Sequence, residues 1–179
     1  FFPFGAARNG VRQQDLIPGT VFGSSPVLIQ DLYWCAAGPP TGNTMTEGEV
    51  VYGDFEIRMG VSSVTTLTSS WATNLPNPTT VHKGRLRLRW KNGVFTPIGL
   101  QTPFLFAPTN PGDNLVVDFI LWSMTDTGGI VPDANGYVIG ANFDATAPRC
   151  WLLNWPINQS GAANVGLSGL RLGFLLGNG

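Results

Sequence analysis

The sequence predicts an all-β fold, an antiparallel β-sandwich or jelly roll of about 8–10 strands in a single domain spanning residues 1–179. Three observations carry this. The chain of 179 residues holds 23 glycines and 14 prolines, a density of breakers that long helices do not tolerate. Two segments alternate apolar and polar residues with period two, the signature of a half-buried strand. Turn-forming clusters recur at short intervals, at 36–43, 74–80, 91–93, 108–114, 125–136 and 159–166.

The elements follow in order. Residues 21–22 and 27–34 are short apolar runs that read as strands. Residues 52–60 (YGDFEIRMG) place Phe55, Ile57 and Met59 on a core face and Asp54, Glu56 and Arg58 on a solvent face. Residues 65–73 form the one helical turn, with Leu67 and Trp71 four apart. Residues 84–90 repeat the strand pattern, with Leu86, Leu88 and Trp90 against Arg85, Arg87 and Arg89. Residues 103–106 make a further short strand. Residues 115–124 (LVVDFILWSM) are apolar on both faces apart from Asp118, as in a central strand covered on both sides. Residues 137–143, 150–154 and 167–176 complete the set.

Cys35 and Cys150 each flank a predicted strand and are expected to form one disulfide. Closing so long a loop is worth about 4–5 kcal/mol on the chain-entropy view. The alternative is two buried thiols.

Composition excludes several classes of function. Ten basic residues stand against eleven acidic ones, without the cationic excess that proteins holding nucleic acid or anionic lipid usually show, and no nucleic-acid partner is expected. No apolar run reaches the length of a membrane span, so no membrane span is expected. A mean hydropathy of +0.10 with charged residues at 12% is apolar for a free-standing domain and suggests surface covered by partners. The chain opens at Phe1 without an initiator Met, as after signal-peptide removal, and a secreted, extracellular location is the expectation.

The ordered segments FFPFGAARNGVRQQDLIPGTVFG, FEIRMGVSSVTTLTSSWATN and TPFLFAPTNPGDNLVVDFIL resemble secreted bacterial β-sandwich proteins of the PEP-CTERM (exosortase-sorted) type. The likeness rests on Phe2 to Phe4 with Arg12 to Gln14, on residues 60–64 and 67–74, and on Pro103 to Pro108. It lacks the sorting tail of that group, and Phe106 stands where a Tyr is common. The resemblance implies an extracellular fold at the bacterial surface and no particular chemistry.

Chemistry-bearing residues are sparse. His82 is the single histidine, and a base needs a positioned nucleophile or orienting acid. Gly166-Leu-Ser168-Gly169 falls one residue short of a nucleophile elbow. No enzymatic turnover and no cofactor are expected. Glu47, Glu49, Asp54 and Glu56 cluster in sequence, as the paired carboxylates of a glycosidase would, but alternation sends Asp54 and Glu56 to the polar face with Arg58, where they read as cross-strand ion-pair partners of Arg85, Arg87 and Arg89 if the two strands are neighbours; the other reading of those arginines is an anion-binding stripe. Asp126, Asp133 and Asn135 supply oxygen ligands of the kind Ca²⁺ takes, at a spacing that matches no compact calcium loop. Trp34, Trp90 and Trp122 fall in apolar runs, which leaves Trp71, Trp151 and Trp155 as stacking platforms for a carbohydrate. Asn158 heads a glycosylation sequon.

The functional expectation is a structural subunit that assembles head to tail into an extracellular filament or surface layer. Segments 1–14 and 167–179 are the expected contacts, through Phe1, Phe2, Phe4, Leu170, Leu172, Phe174 and Leu176, because each terminal run is apolar and reads as a strand able to complete a neighbour's sheet. The alternative is an extracellular carbohydrate-binding module.

Overall fold

A computed structural model describes residues 10–39, 43–131, 139–153, 155 and 162–177. The chain is all-β, and every ladder between its strands is antiparallel. Eleven strands are formed among the described residues: β1 Val11–Ile17, β2 Val27–Gly38, β3 Glu47–Ser62, β4 Thr79–Lys91, β5 Phe95–Pro97, β6 Phe104–Phe106, β7 Asn114–Asp126, β8 Gly140–Ala141, β9 Phe143–Leu153, β10 Asn164–Leu170 and β11 Leu172–Gly177. A single helical turn, α1, spans Trp71–Asn74, and Gly19–Phe22 is a 3₁₀ turn where the apolar pair Val21 and Phe22 had suggested a strand.

Six strands form one sheet in the order β10-β9-β1-β7-β3-β4; the second runs β11-β2-β5, with β6 and β8 also paired to β2. One buried cluster joins the two sheets. Ile29, Leu32 and Trp34 from β2 meet Phe55, Ile57 and Met59 from β3, Leu86, Leu88 and Trp90 from β4, and Val117, Phe119 and Leu121 from β7.

β7 is covered on both faces, as its sequence predicts. Its odd-numbered residues 115–121 join the shared core, while Val116 and Ile120 pack under two smaller clusters on the outer side with Leu16, Cys150, Leu152 and Trp155. The outer cover includes Leu67 and Leu75 from the stretch that carries α1. Gly60 makes this close approach possible, since a Cβ there would lie 2.5 Å from the Leu75 side chain.

Three expectations about elements change. β3 extends well beyond residues 52–60, and its outward face is not simply solvated, since Glu56 is buried. The apolar stretch 167–176 is not one strand but two, broken at Arg171, so that β10 closes the first sheet and β11 the second. The expected strand at 137–143 lies partly outside the described residues, and Phe143 opens β9.

The disulfide is absent, and both cysteines are free and buried. Strand alternation is the reason. Trp34 and Ala36 face the shared core, so Cys35 between them points to the far side of the second sheet; Cys150 lies with Leu16 and Val116 on the outer side of the first. The two thiols are on opposite outsides of the two-sheet structure. A thiol-reactive probe under non-reducing conditions is therefore expected to titrate two groups per chain after denaturation and to react slowly in the native state; a single S–S cross-linked species on non-reducing mass analysis contradicts this.

Candidate functional site

The densest polar constellation lies on the outer face of the six-stranded sheet, where the sequence had marked only Trp71 and Trp155, as stacking platforms, and segment 1–14, as a subunit contact. β1 runs between β7 and β9, with Arg12 opposite Ile120 and Gln14 opposite both Asp118 and Cys150. Arg12 donates to Asp118 through both arms of its fork, Nε to Oδ1 at 2.9 Å and Nη2 to Oδ2 at 2.6 Å. Asp118 is fully buried. Burial pushes its carboxyl up, against the hydrogen bond and charge of Arg12 and the charge of Arg58.

The guanidinium is covered by aromatic rings. Its carbon lies 4.5 Å from the ring centroid of Trp71 and 4.5 Å from that of Trp155, and the two indoles meet edge-on at 5.4 Å. Trp71 reaches this position because the Ser70 hydroxyl accepts from Thr73 N and starts the single turn of α1. Asn74, at its end, donates to Gln14 Oε1 at 3.0 Å, to the Thr68 carbonyl at 2.9 Å and to Cys150 Sγ at 3.4 Å. Burial, reinforced by the nearby charge of Asp118, pushes the Cys150 thiol up to about 12. So protonated, it is a packing group and not a nucleophile near neutral pH.

The opposite face of β1 carries a second buried acid. Asp15 accepts two hydrogen bonds from Gln13 Nε2, at 2.9 and 2.8 Å, and one from Leu170 N at 3.2 Å. Arg149 faces it from β9. Burial pushes this carboxyl up to about 7, opposed by the Gln13 and Leu170 hydrogen bonds and by the charge of Arg149. Asp15 thereby pins the point where the chain leaves β10 for the other sheet. Gly169 has to be small there, because a Cβ would lie 2.9 Å from both Asp15 Oδ1 and Ala147 Cβ.

The sequence-predicted residues are distributed as follows. Trp71 and Trp155 hold Arg12 between them, and Trp155 is 7% exposed. Trp151 has the Arg149 guanidinium 4.3 Å from its ring centroid and packs over Gly166. β3 and β4 are neighbours, and the expected ion pairs form with a shifted set of partners: Glu49 takes Arg87 at 3.3 Å and Arg89 at 3.5 Å, Glu47 takes Lys91 at 3.2 Å, and Glu56 takes Arg58 at 2.8 Å and Lys83 at 3.8 Å. Bulges between Tyr52 and Phe55 displace Asp54 from such a contact. His82 is buried, which pushes its pKa down.

Leu170 is buried in the chain's own core, where Leu172 and Phe174 also pack, and Phe174 meets Phe22 edge-on at 5.0 Å; Leu176 is exposed. Residues 11–14 pair with the chain's own β7 and β9. Residues 11–14, Leu170, Leu172 and Phe174 are thus engaged in the chain's own sheets and core, while Leu176 stays exposed on β11. Phe1, Phe2, Phe4, Asp133, Asn135 and Asn158 lie outside the described residues. Asp126 Oδ1 accepts from Gly128 N at 2.8 Å, and among the described residues no three His, Cys, Asp or Glu side chains group as a metal site.

A cleft of about 420 Å³ opens between Gly19–Ser24 and Pro108–Asp113. Its one carboxylate, Asp113, is consumed by its own loop, accepting from Asn110 N and from Thr109 N and Oγ1, and these bonds hold it below the usual carboxylate range.

Fold and constellation together define an all-β, two-sheet protein whose most elaborate polar site is internal and closed by its own side chains. No helix among the described residues is long and apolar enough to cross a membrane. Comparison with family models, with curated proteins and with solved structures finds no match to the chain.

Two predictions follow from the paired and unpaired buried charges. Arg12→Met leaves Asp118 buried without its cation and is expected to lower stability by about 3–5 kcal/mol in denaturant titration, whereas the double variant Arg12→Met, Asp118→Leu regains most of that loss. Asp15 holds its proton more tightly in the folded than in the unfolded chain, so its contribution to stability falls as pH rises from about 4 to about 7 and is level above. His82 acts in the opposite sense below its ordinary pKa of 6.5, so the deciding comparison is with Asp15→Asn. The Tm of that variant is expected to rise relative to wild type between pH 5 and pH 8; a constant difference across that range contradicts the assignment.

Proposed function

We propose that this chain is a non-enzymatic extracellular structural protein of the bacterial surface, whose copies assemble edge to edge into a filament or layer. The fold reading that accompanies it is a β-sandwich in which the two sheets share one core. The supporting observation is an asymmetry between sheet edges. At one side the six-stranded sheet ends in β4, which carries Lys83, Arg85, Arg87, Arg89 and Lys91 and is blunted by that charge. At the other it ends in β10, where Val165 and Leu167 are 49% and 60% exposed, and the second sheet ends in β11, where Leu175 and Leu176 are 43% and 44% exposed. Among the described residues each of these two strands has a ladder partner on one side only.

An apolar, unblunted edge is a template for another strand. The occupant is a second copy of this chain: β10 of one protomer against β11 of the next is a heterologous contact, which repeats head to tail and yields a filament unless it closes into a ring. Burying one such Leu is worth roughly 1.5–3 kcal/mol, so four apolar residues per contact give substance to an otherwise backbone-driven pairing.

Leu167→Lys and Leu175→Lys change exposed positions and are expected to leave the fold intact while converting concentration-dependent assemblies, read by light scattering and negative-stain microscopy, to monomers. Val131→Lys, an exposed apolar position in the segment after β7 and on neither of these strands, is the control expected to assemble as wild type. Wild-type protein that remains monomeric at millimolar concentration overturns the reading.

A further inference from the structure

We propose that the outward face of β4 is a binding site for a linear acidic polysaccharide, one bearing uronate or sulfate groups. Half of the chain's ten basic residues lie on this one strand, as Lys83, Arg85, Arg87, Arg89 and Lys91, and all eleven acidic residues lie elsewhere. Alternation places the five cations on one face, while Leu86, Leu88 and Trp90 between them are buried in the core. At roughly 3.4 Å per residue the charged heads recur about every 7 Å along a row of about 27 Å. The result is a row of cations at alternate positions of one strand, on a protein whose net charge is −1.

The track is only partly neutralised. Glu49 is shared by Arg87 and Arg89, Lys91 pairs with Glu47 at 3.2 Å, Lys83 reaches Glu56 at 3.8 Å while Arg58 holds that carboxylate at 2.8 Å, and Arg85 has no carboxylate within ion-pair distance among the described residues. The side chains stay in water, with Arg87 60% and Arg89 85% exposed. Ion pairs so exposed contribute little and are readily exchanged for a multivalent anion. Three of the five cations are arginines, whose planar forks engage carboxylate and sulfate bidentately.

The chemistry of the track distinguishes its ligand. Single-stranded nucleic acid is held by aromatic rings interleaved with the cations, and here the aromatic Trp90 faces inward. Interfacial elements that hold a membrane surface usually add apolar side chains beside the cations to enter the lipid, and the apolar residues of β4 are all on the core face. A polysaccharide bearing a charge on successive sugars needs neither. The proposal stands independently of how copies of the chain assemble, since β4 is at the opposite side of the sheet from β10.

The test measures binding of full-length protein to immobilised alginate and to dextran sulfate, with neutral dextran, a single-stranded DNA oligonucleotide and phosphatidylserine vesicles as the other arms. Both acidic polysaccharides are expected to bind, with affinity falling more than tenfold between 50 and 200 mM salt as counterions compete. Arg85→Ala, Arg87→Ala, Arg89→Ala is expected to lose at least tenfold in affinity with an unchanged circular dichroism spectrum. Glu49→Gln, which frees two arginines without removing any cation, is expected to bind more tightly. Failure of both polysaccharides to bind at 50 mM salt, equal binding of neutral dextran, preference for the oligonucleotide or the vesicles, or an Arg triple variant that binds as wild type each overturns the proposal.

Discussion

Two opposite charges enclosed in the middle of a sheet set the terms on which the rest of this structure is organised. Arg12 and Asp118 lie on adjacent central strands, and removing such ions from water costs several kcal/mol each. The cost is offset only because the fork geometry satisfies both carboxylate oxygens and because two indole faces replace water over the guanidinium. That cover needs Trp71, which needs the one-turn helix and its Ser70 cap, and Trp155, which comes from the segment after β9. The outer clusters around Leu16 and Ile120 are assembled under the same lid. Cover, cap and core on this side thus form one cooperative unit around a pair that is unfavourable unless complete.

β1 extends the argument to the other side of the sheet. Its alternate residues bring Gln13 and Asp15 toward the interior, where Asp15 takes the Leu170 amide and fixes the passage from β10 to β11. A seven-residue strand consequently organises both faces: one by a neutralised ion pair, the other by a carboxyl that burial pushes up to about 7. The second sheet depends on this indirectly, because β11 is its edge strand and begins two residues beyond the pinned amide.

The sequence pattern made some of this legible. Where one face is apolar and the other charged, as in 52–60 and 84–90, alternation alone places the core residues correctly, and the apolar run 115–124 declares itself a covered central strand. β1 was not expected inside the chain's own sheet because VRQQDLI buries polar residues on both faces, so period two carries no hydropathy contrast. Asp118 within the most apolar run was the available signal that a buried cation must lie opposite, but nothing in spacing selects Arg12 from among ten. The cysteines failed for a related reason: adjacency to a strand end says nothing about which face a side chain takes, and parity puts Cys35 and Cys150 on opposite outsides. The charges of β3 and β4 were legible as a group, while the bulge near Tyr52 decided which acid meets which base.

The position of β1 has a kinetic consequence. Its ladder partners are about a hundred residues away or more, with Arg12 and Asp118 separated by 106 positions. During synthesis the β3–β4 hairpin and its apolar face emerge well before β7 and β9 exist to flank β1, so the first sheet cannot close in vectorial order. Folding of this kind pays a large loop-closure cost before any long-range pairing rewards it, which places it among the slow, high-contact-order topologies. The nascent chain must therefore keep an unpaired polar strand waiting while apolar hairpins are exposed beside it, an interval in which escort by a chaperone matters more than the final stability of the fold.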